Sequence, residues 1–230
     1  MTYEELLSFY EPRGILNSDK VALLSRYCDI LLEENRHYNL TAIKEVPDVV
    51  EKHFFDCLLP TLSKHFVGKT FLDVGSGAGF PGLVWAIAFP ERRFVLLDAT
   101  AKRCRFLEKV VAELKLNNVE VVNSRAEEYQ KRNAFDVVTA RAVSFLPILL
   151  EITAPFAKDG GLILAMKGSK ADEEIREAKN AMKTLNLELA ANVEDALPNG
   201  DPRSNIFIRR HGEIPAKYPR TWAKITAKSL

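Results

Sequence analysis

The stretch FLDVGSGAGFPG, residues 71–82, decides the fold. Its four glycines fall within eight positions, beside an acid, Asp73, that closes an apolar run. Glycine tolerates left-handed backbone conformations, and a backbone without side chains lets a ligand approach main-chain N–H groups closely. A strand, this glycine-rich loop and a helix that begins near Pro81 therefore predict a cofactor-binding turn.

The pattern of the loop is compatible with binding either of two classes of cofactor. Gly77, Gly79 and Gly82 satisfy G-x-G-x-x-G, the pattern of dinucleotide-binding turns, which on its own is a weak signal. Asp73 favours S-adenosylmethionine, because a carboxylate repels a pyrophosphate but attracts a sulfonium and an amino group. Asp98 ends the next predicted strand, where it can accept hydrogen bonds from ribose hydroxyls. Since both cofactors contain an adenosine ribose, a nicotinamide-dependent oxidoreductase remains the alternative.

Short apolar runs that alternate with helical patterns predict an α/β fold. Candidate strands lie at 69–75, 92–99, 118–124, 134–140, 160–168, 186–193 and 204–210, and helical patterns lie at 81–89, 101–116, 146–157 and 169–185. Continuous apolar strands between helices are typical of a parallel sheet that is covered on both faces. The last two strands suit a hairpin at the sheet edge. We predict a Rossmann-like, seven-stranded, mostly parallel sheet.

Residues 1–66 contain helical patterns and no strand pattern. Thr2 is a candidate cap of the first helix, and Asp19 or Ser18 can open the second. Pro47 is a candidate first residue of a third helix, over 47–66. We expect three regions, which are an N-terminal helical extension at 1–66, an α/β domain at 67–212 and a basic tail at 213–230.

The composition indicates a globular protein with one sizeable core, since 47% of the 230 residues are hydrophobic. The three cysteines form no C-x-x-C pair and no metal-ligand spacing with the histidines, so we expect a reducing compartment and no metal. The N-terminus is acidic, unlike a signal peptide, and the longest apolar run, residues 83–89, is far too short to cross a bilayer. We expect a soluble, cytoplasmic monomer.

The net charge of +1 hides an uneven distribution. Residues 1–60 contain eleven acidic and six basic side chains, whereas residues 209–230 contain six basic side chains and one acid, Glu213. A basic C-terminal segment is typical of proteins that bind a phosphate backbone. A solvated, loosely ordered tail has the same composition, so charge alone leaves both interpretations open.

Three further positions belong to the carboxyl edge of the predicted sheet, where open α/β folds place their sites. Ala126 and Glu127 follow the third strand, where an adenine ring would lie. Glu127 is equally well explained as an acid in the first turn of a helix. Arg141 follows the fourth strand in VVTARAV, and a surface salt bridge is the alternative explanation for it.

If the cofactor donates a methyl group, the turn after the fourth strand limits the acceptor. Methylation of an exocyclic base amine commonly uses an N/D-P-P-aromatic tetrapeptide here, whereas this chain has Ala140, Arg141 and Ala142. Methylation of pyrimidine C5 needs a cysteine nucleophile, and packing explains Cys104 better. An acceptor without covalent activation remains, such as guanine N7, which has a lone pair and no proton to remove. Arg141 would then hydrogen-bond guanine O6 or steer a phosphate.

Motifs along nearly the whole chain resemble a known family. They are, in order, NLTAI (39–43), HFFDCLL (53–59), DVGSGAGFPG (73–82), LLDATAKRCRFL (96–107), AEEY (126–129), FDVVTARAV (135–143), MKG (166–168) and KYPR (217–220). They are similar to motifs of the bacterial 16S ribosomal RNA guanine-N7 methyltransferases, also called glucose-inhibited division protein B. Cys57 stands where that family usually has serine, and TWAKITAKSL replaces a tail that is more often rich in Lys and Gly.

The resemblance implies a class I, S-adenosylmethionine-dependent methyltransferase domain behind a helical extension. It implies that the substrate is 16S rRNA or the small ribosomal subunit, and that the acceptor is N7 of the guanine conventionally numbered 527, in the 530 loop. By motif match, it implies cofactor contacts at Gly75, Phe80, Ala126, Glu127 and Arg141. Arg141 is also the candidate catalytic residue.

Basic side chains around the predicted cofactor site are candidates for holding an RNA backbone. We predict RNA contacts for Lys102, Arg103, Arg105, Lys167, Arg209, Arg210, Lys217 and Arg220, several of which we expect near the carboxyl edge of the sheet. Candidates for stacking on splayed bases are Tyr38, Phe80, Tyr218 and Trp222, although ordinary packing explains each of them as well. A non-catalytic RNA-binding or assembly protein is a further alternative.

Overall fold

A seven-stranded sheet forms the centre of the molecule, for which the computed structural model describes all 230 residues. The strands are β1 (Thr70–Val74), β2 (Arg93–Asp98), β3 (Val119–Asn123), β4 (Phe135–Arg141), β5 (Ala157–Lys167), β6 (Leu187–Ala196) and β7 (Pro202–Arg210). They lie in the order β3-β2-β1-β4-β5-β7-β6. The first five strands pair in parallel, and β7 runs antiparallel to β5 and β6. The predicted Rossmann-like sheet, with a hairpin at one edge, is confirmed.

Ten α-helices surround the sheet or precede it. They are α1 (Tyr3–Tyr10), α2 (Ser18–Asn35), α3 (Val46–Val49), α4 (Asp56–Leu58), α5 (Gly82–Ala88), α6 (Ala101–Glu113), α7 (Leu146–Thr153), α8 (Ala171–Glu177), α9 (Lys179–Thr184) and α10 (Trp222–Ala227). A π-helical segment, Val50–Phe55, joins α3 to α4. Short 3₁₀ turns lie at Glu11–Arg13, Leu59–Leu62, Ala126–Glu128 and Ala154–Phe156. No helix combines the length and the apolar character that a membrane span requires.

The parallel strands end at one edge of the sheet and bring the predicted site residues together. β1 lies between β2 and β4, so the strand order reverses beside it, and a crevice opens beyond the strand ends at such a point. Asp73 of β1 lies opposite Leu96 of β2 and Thr139 of β4. Asp98 is the last residue of β2, and Arg141 is the last residue of β4.

Hydrophobic cores cover both faces of the sheet. Phe71 of β1 belongs to one core and its neighbour Leu72 to the other, because side chains alternate along a strand. The first core runs from α1 to β7 and includes the fully buried Tyr10 and Trp85. The helical extension is therefore packed onto the sheet through a shared core, and the predicted boundary at 66 stays a prediction.

The starts of the first two helices agree with the sequence. Thr2 caps α1 in a reciprocal capping box, in which the Glu5 N–H donates to Thr2 Oγ1 at 3.2 Å and the Thr2 N–H donates to Glu5 Oε2 at 2.7 Å. Ser18, one of the two predicted starts, is the first residue of α2. Asn17 caps this helix, since its Oδ1 accepts the Lys20 N–H at 2.9 Å.

Two predicted helices are interrupted. The helix predicted over 47–66 passes from α3 through the π-helical segment to α4 and ends in the 3₁₀ turn Leu59–Leu62, because Pro60 has no N–H to continue the ladder. The helix predicted over 169–185 is divided at the buried Ala178, whose ψ of −1° turns the chain between α8 and α9. Both halves contact α7.

The C-terminal tail is ordered and packed. Ile214, Tyr218 and Ile225 are buried in the core that covers the second face of the sheet. Arg220 forms a two-pronged ion pair with the fully buried Glu151 of α7, with nitrogen–oxygen distances of 2.8 and 2.6 Å. Apolar side chains between the basic ones therefore anchor the segment on the rest of the protein.

Candidate active site

The glycine loop after β1 adopts a conformation that favours glycine. Gly75, Gly77 and Gly79 have φ values of +73°, +58° and +98°, in the left-handed region. A Cβ atom added to Gly75 would lie 2.9 Å from Cγ2 of Val143, on the loop that follows β4. A side chain at position 75 would therefore collide with Val143, and only glycine fits there without a shift of that neighbour.

Asp73 is buried beside this loop with one oxygen unpaired. Its Oδ2 accepts the Gly82 N–H at 3.0 Å, whereas its Oδ1 is buried without a hydrogen-bond partner. Burial raises the pKa of the Asp73 carboxyl to about 7, although the hydrogen bond from Gly82 opposes the shift. A buried oxygen without a donor is costly, so a cationic ligand beside it would stabilise the ionised form.

Asp98 holds the glycine loop at Gly77. Its Oδ2 accepts the Gly77 N–H at 2.9 Å, and its Oδ1 accepts the Thr100 N–H at 2.8 Å. Arg103 Nη1 lies 3.6 Å from Oδ2. Each carboxylate oxygen has two lone pairs, so these contacts leave acceptor capacity for ligand hydroxyl groups.

Two adjoining cavities open at the carboxyl edge of the sheet. The first cavity, of about 290 Å³, is lined by Val74, Gly75, Leu97, Asp98, Ala99, Thr100, Arg103, Ser124, Arg125, Ala126, Glu127, Val143, Ile152 and Trp222. The second cavity, of about 390 Å³, is lined by Leu40, Thr41, His53, Gly75, Ser76, Gly77, Ala78, Phe80, Arg103, Arg141, Ala142 and Val143. Because they share Gly75, Arg103 and Val143, a single extended ligand can occupy both.

The cavities bring most of the predicted cofactor positions together. Ala126 and Glu127 line the first cavity, and Phe80 and Arg141 line the second. Asp73 and Gly79 belong to the loop but line neither cavity. Gly79 instead packs against Leu83 and Tyr27, whose hydroxyl donates to the carbonyl oxygen of Ala78.

Arg141 is held by the helical extension. Its Nη2 lies 2.9 Å from Asp56 Oδ2 and donates to the Lys52 carbonyl oxygen at 2.7 Å, and its Nη1 donates to Cys57 Sγ at 3.2 Å. The second oxygen of Asp56 accepts from Arg203 Nε at 2.9 Å. The predicted surface salt bridge is therefore a buried one, which joins the end of β4 to α4.

His53 forms a wall of the second cavity that sequence reasoning missed. Its Nδ1 lies 3.3 Å from Arg141 Nη2, and a guanidinium only donates, so Nδ1 accepts and Nε2 carries the proton that is shared with Thr41 Oγ1 at 3.0 Å. The ring stacks on Phe80, with 4.1 Å between centroids and 20° between planes. Burial, helped by the Arg141 charge, lowers the pKa of His53 to about 3. The signal in the sequence was the motif HFFDCLL, residues 53–59, which begins with His53 and is shared with the family.

The three cysteines are buried thiols. Burial raises the pKa of Cys57 to about 12 against the opposing charge of Arg141, and burial also raises the pKa values of Cys28 and Cys104. A nucleophilic cysteine needs the thiolate form and access to its substrate. The structure therefore supports packing roles for these residues.

The predicted RNA-binding side chains fall into two groups. Lys102, Arg103 and Arg105 are exposed on the first turns of α6, and Arg103 lines both cavities. Lys217 is also exposed, and its Nζ lies 5.2 Å from the Tyr218 ring centroid. Lys167 is half-buried, because its Nζ donates to the Ser144 carbonyl oxygen at 2.6 Å and pairs with Glu174 at 2.6 Å. Arg220 is engaged with Glu151, as described above.

Arg209 and Arg210 are not among the predicted RNA-binding residues that lie near the cavities. Because β7 runs antiparallel to β5, Arg209 pairs with Leu162, near the opposite edge of the sheet from Lys167. Arg210 is buried and donates to Asn133 and to the carbonyl oxygen of Ala157. A strand pattern in a sequence does not state the strand's direction, so only the structure shows at which end of β7 these two residues lie.

The four aromatic residues predicted to stack on bases also lie in different environments. Tyr38 is partly exposed, with Lys102 Nζ 4.0 Å from its ring centroid. Phe80 lies beneath His53, and Tyr218 is buried in the core. Trp222 lines the first cavity.

A glycine loop after β1, acids on β1 and β2 and an edge hairpin around β7 define a Rossmann-like, S-adenosylmethionine-dependent methyltransferase. A solved structure described as a SAM-dependent methyltransferase from Aquifex aeolicus shares the fold, with a TM-score of 0.54 and 20% identity over 70% of this chain and 93% of that one. Pyrococcus horikoshii TYW2, solved in complex with MeSAdo, has a TM-score of 0.51 and 15% identity over 69% of this chain and 61% of its own. The predicted fold class is confirmed, and the predicted cofactor is that of the class.

The chain belongs to the rRNA small subunit methyltransferase G family, whose model matches residues 20–196. Relatives named ribosomal RNA small subunit methyltransferase G include a Leuconostoc citreum protein, 40% identical over 96% of this chain and 95% of its own length. Relatives of the same name from Lactococcus lactis and Geobacillus kaustophilus are each 41% identical, with the same coverage of both chains. The predicted family is therefore confirmed, and the nicotinamide-dependent alternative is wrong.

Proposed function

We propose that the protein transfers a methyl group from S-adenosylmethionine to N7 of a guanine in the 530 loop of 16S rRNA. The observation that carries this proposal is the second cavity. It adjoins the glycine loop, its flat wall is the neutral His53–Phe80 pair, and the nearest thiol, Cys57, is held protonated. Family membership supplies the substrate class, since relatives of about 40% identity are named for small-subunit rRNA.

The residues present fit S-adenosylmethionine. Asp73 lines neither cavity, but its buried Oδ1 has no donor, so its charge would favour a cationic ligand bound at the adjoining loop, such as one with an ammonium group and a sulfonium. Asp98 retains lone pairs for the ribose hydroxyls, and Ala126 and Glu127 line the place for the adenine. Gly75 and Gly77 leave room for the methionine part between the two cavities. When bound, S-adenosylmethionine supplies an electrophilic methyl group on a sulfonium.

The acceptor side needs orientation rather than a base. Guanine N7 has a free lone pair, so no residue has to remove a proton before methyl transfer. The chain's contribution is then to hold the base in line and to exclude water. The His53–Phe80 stack offers a flat, uncharged surface for that purpose.

Arg141 is the candidate catalytic residue of this proposal. It lines the second cavity, and its pairing with Asp56 fixes the guanidinium there. In that position it is a donor for guanine O6 or for a phosphate of the substrate. Lys102, Arg103 and Arg105 extend the positive charge from the cavity mouth onto α6, where an RNA backbone would lie. We propose further that the enzyme acts as a cytoplasmic monomer.

The test is to recover the labelled nucleoside. We would incubate the protein with S-adenosylmethionine carrying a tritiated methyl group and with naked 16S rRNA or 30S subunits from a strain that lacks the gene. Label in 7-methylguanosine, mapped to the 530 loop, is expected, and an Asp98→Ala variant should lose it. Label in any other nucleoside contradicts the proposal. Cofactor binding without label in either RNA would favour the non-catalytic alternative.

A further inference from the structure

The C-terminal segment, residues 213–230, contributes a wall of the first cavity. Trp222, the first residue of α10, lines that cavity together with Asp98 and Ala126. Trp222 is 37% exposed, whereas Ile225 of the same helix is completely buried. A large aromatic ring that stays partly exposed at a cavity has apolar surface available for a ligand.

A buried ion pair fixes the chain just before Trp222. Arg220 donates to Glu151 Oε1 from Nε at 2.8 Å and from its backbone N–H at 3.0 Å, and to Oε2 from Nη2 at 2.6 Å. Glu151 is completely buried on α7, and the next residue, Ile152, lines the first cavity. Removing one partner of a buried pair leaves a costly unpaired charge. The pair therefore couples the position of the tail to the wall of the cavity.

Further contacts hold the tail from the other side. Arg132 Nη1 donates to the carbonyl oxygen of Tyr218 at 2.6 Å, and Tyr218 and Ile214 are buried in the core. These contacts place Trp222 beside the cavity through packing of its own segment, and they need no RNA. The protein itself therefore sets the position of Trp222 before any substrate binds.

We propose that Trp222 is a cofactor-binding residue that packs against the adenosine part of S-adenosylmethionine. The inference rests on the proposed function, since Asp98 and Ala126 assign the first cavity to adenosine there. Every nucleobase has a π face that stacks on an aromatic side chain. The tail is then part of the cofactor site, and not only a basic surface for RNA.

Tryptophan emission reports this contact directly, because the chain has only two tryptophans. The other, Trp85, is completely buried, and its Nε1 donates to the Cys57 carbonyl oxygen at 2.6 Å. We would titrate S-adenosylhomocysteine into the wild type and into Trp222→Phe, and follow emission and calorimetric heat together. We expect emission to change saturably in the wild type, and to stay constant in Trp222→Phe while the heat shows binding.

Affinity provides the second measurement. Trp222→Ala should bind S-adenosylhomocysteine about tenfold more weakly, and Trp222→Phe, which keeps a stacking face, only about twofold. The same loss is expected with 5′-methylthioadenosine, which lacks the amino-acid part. Lys224→Ala, an exposed change on the same helix, is the control and should bind normally. Unfolding by denaturant would show that the variants remain folded.

The outcomes separate the two proposals. An unchanged affinity of Trp222→Ala, or an emission change that survives in Trp222→Phe, overturns the contact. Failure of the wild type to bind S-adenosylhomocysteine rejects the proposed function instead.

Discussion

Arg141, at the end of β4, lies 2.9 Å from Asp56, in the helical extension. The two residues are far apart in sequence, yet their ion pair joins the sheet to the lobe that carries His53. Asp56 is 4% exposed and holds Arg203 with its other oxygen. The shape of the second cavity therefore depends on a carboxylate that lines neither cavity itself.

Asp56→Ala should destabilise the protein and disturb the second cavity. Two arginines would lose a buried acceptor, so we expect the free energy of unfolding to fall by about 2–4 kcal/mol. Denaturant unfolding measures this loss, and methylation assays should show a lower kcat. Asp48→Ala is the matched control, since Asp48 pairs with Lys52 on the surface, at 2.9 Å. Equal effects of the two changes would contradict a positioning role for Asp56.

Asp98→Ala should weaken the binding of S-adenosylmethionine by ~1–3 kcal/mol, because the ribose hydroxyls lose their acceptor. The change also removes the acceptor of the Gly77 N–H, so part of the loss reflects a looser loop. Calorimetric titration measures the affinity. Asp29→Ala, an exposed change on α2, should bind normally. An unchanged affinity of Asp98→Ala would show that the ribose lies elsewhere.

Gly75→Ala should block the cofactor more than it unfolds the protein. An added Cβ would lie 2.9 Å from Val143 Cγ2, at the junction of the two cavities, and φ is +73°. Gly14→Ala carries similar backbone strain at φ +69° but meets nothing within 4 Å. Both should lose roughly 1–2 kcal/mol of stability through left-handed strain. Only Gly75→Ala should also lose S-adenosylmethionine binding in calorimetry. A loss of binding shared by both variants would contradict a cofactor site at the glycine loop.

The affinity for S-adenosylmethionine should rise with pH between 5.5 and 7 and then level off. Burial raises the pKa of Asp73 to about 7 in the free protein, so the carboxyl is largely protonated below that pH. A cationic ligand favours the ionised form, so binding at low pH has to release a proton. Calorimetry in buffers of different ionisation enthalpy measures the release. Asp73→Asn should release no proton on binding. If the affinity of this variant depends on pH as steeply as that of the wild type, Asp73 is not the source of the pH dependence.

The same group affects the stability of the free protein. Because the folded pKa lies above the ordinary carboxyl value, the Asp73 contribution to the free energy of unfolding is present at low pH. It is lost as the pH rises towards about 7. Denaturant unfolding of Asp73→Asn should lack this decline.

Lys102→Ala combined with Arg105→Ala should raise the KM for rRNA and leave kcat nearly unchanged. Both side chains are exposed on the first two turns of α6, the helix whose Arg103 lines both cavities. Each lost phosphate contact should lower the slope of log affinity against log salt by about one. Arg209→Ala is the control, because this residue lies towards the opposite edge of the sheet. A larger effect of Arg209→Ala would place the RNA on the other side of the molecule.

Much of the fold was predictable from local patterns. Strand and helix periodicity, the glycine loop, and acids at the strand ends are short-range features, and the parallel sheet follows from their alternation. Helix ends were less predictable. Of the two predicted starts of α2, Ser18 is the first helical residue and Asn17 caps it, and Ala178 divides a helix that looked continuous. Several neighbouring residues compete for such positions, and packing selects among them.

The sequence by itself determined the sheet, the cofactor loop and the positions of Asp73, Asp98 and Arg141, because strand ends and turns follow from local residue order. Only the tertiary structure decided what these residues contact. It joined Asp56 to Arg141, stacked His53 on Phe80, turned β7 so that Arg209 points away from the site, and set Trp222 beside the first cavity. Such contacts depend on how the faces of distant elements pack together. No local sequence pattern specifies which distant residue a given side chain will contact.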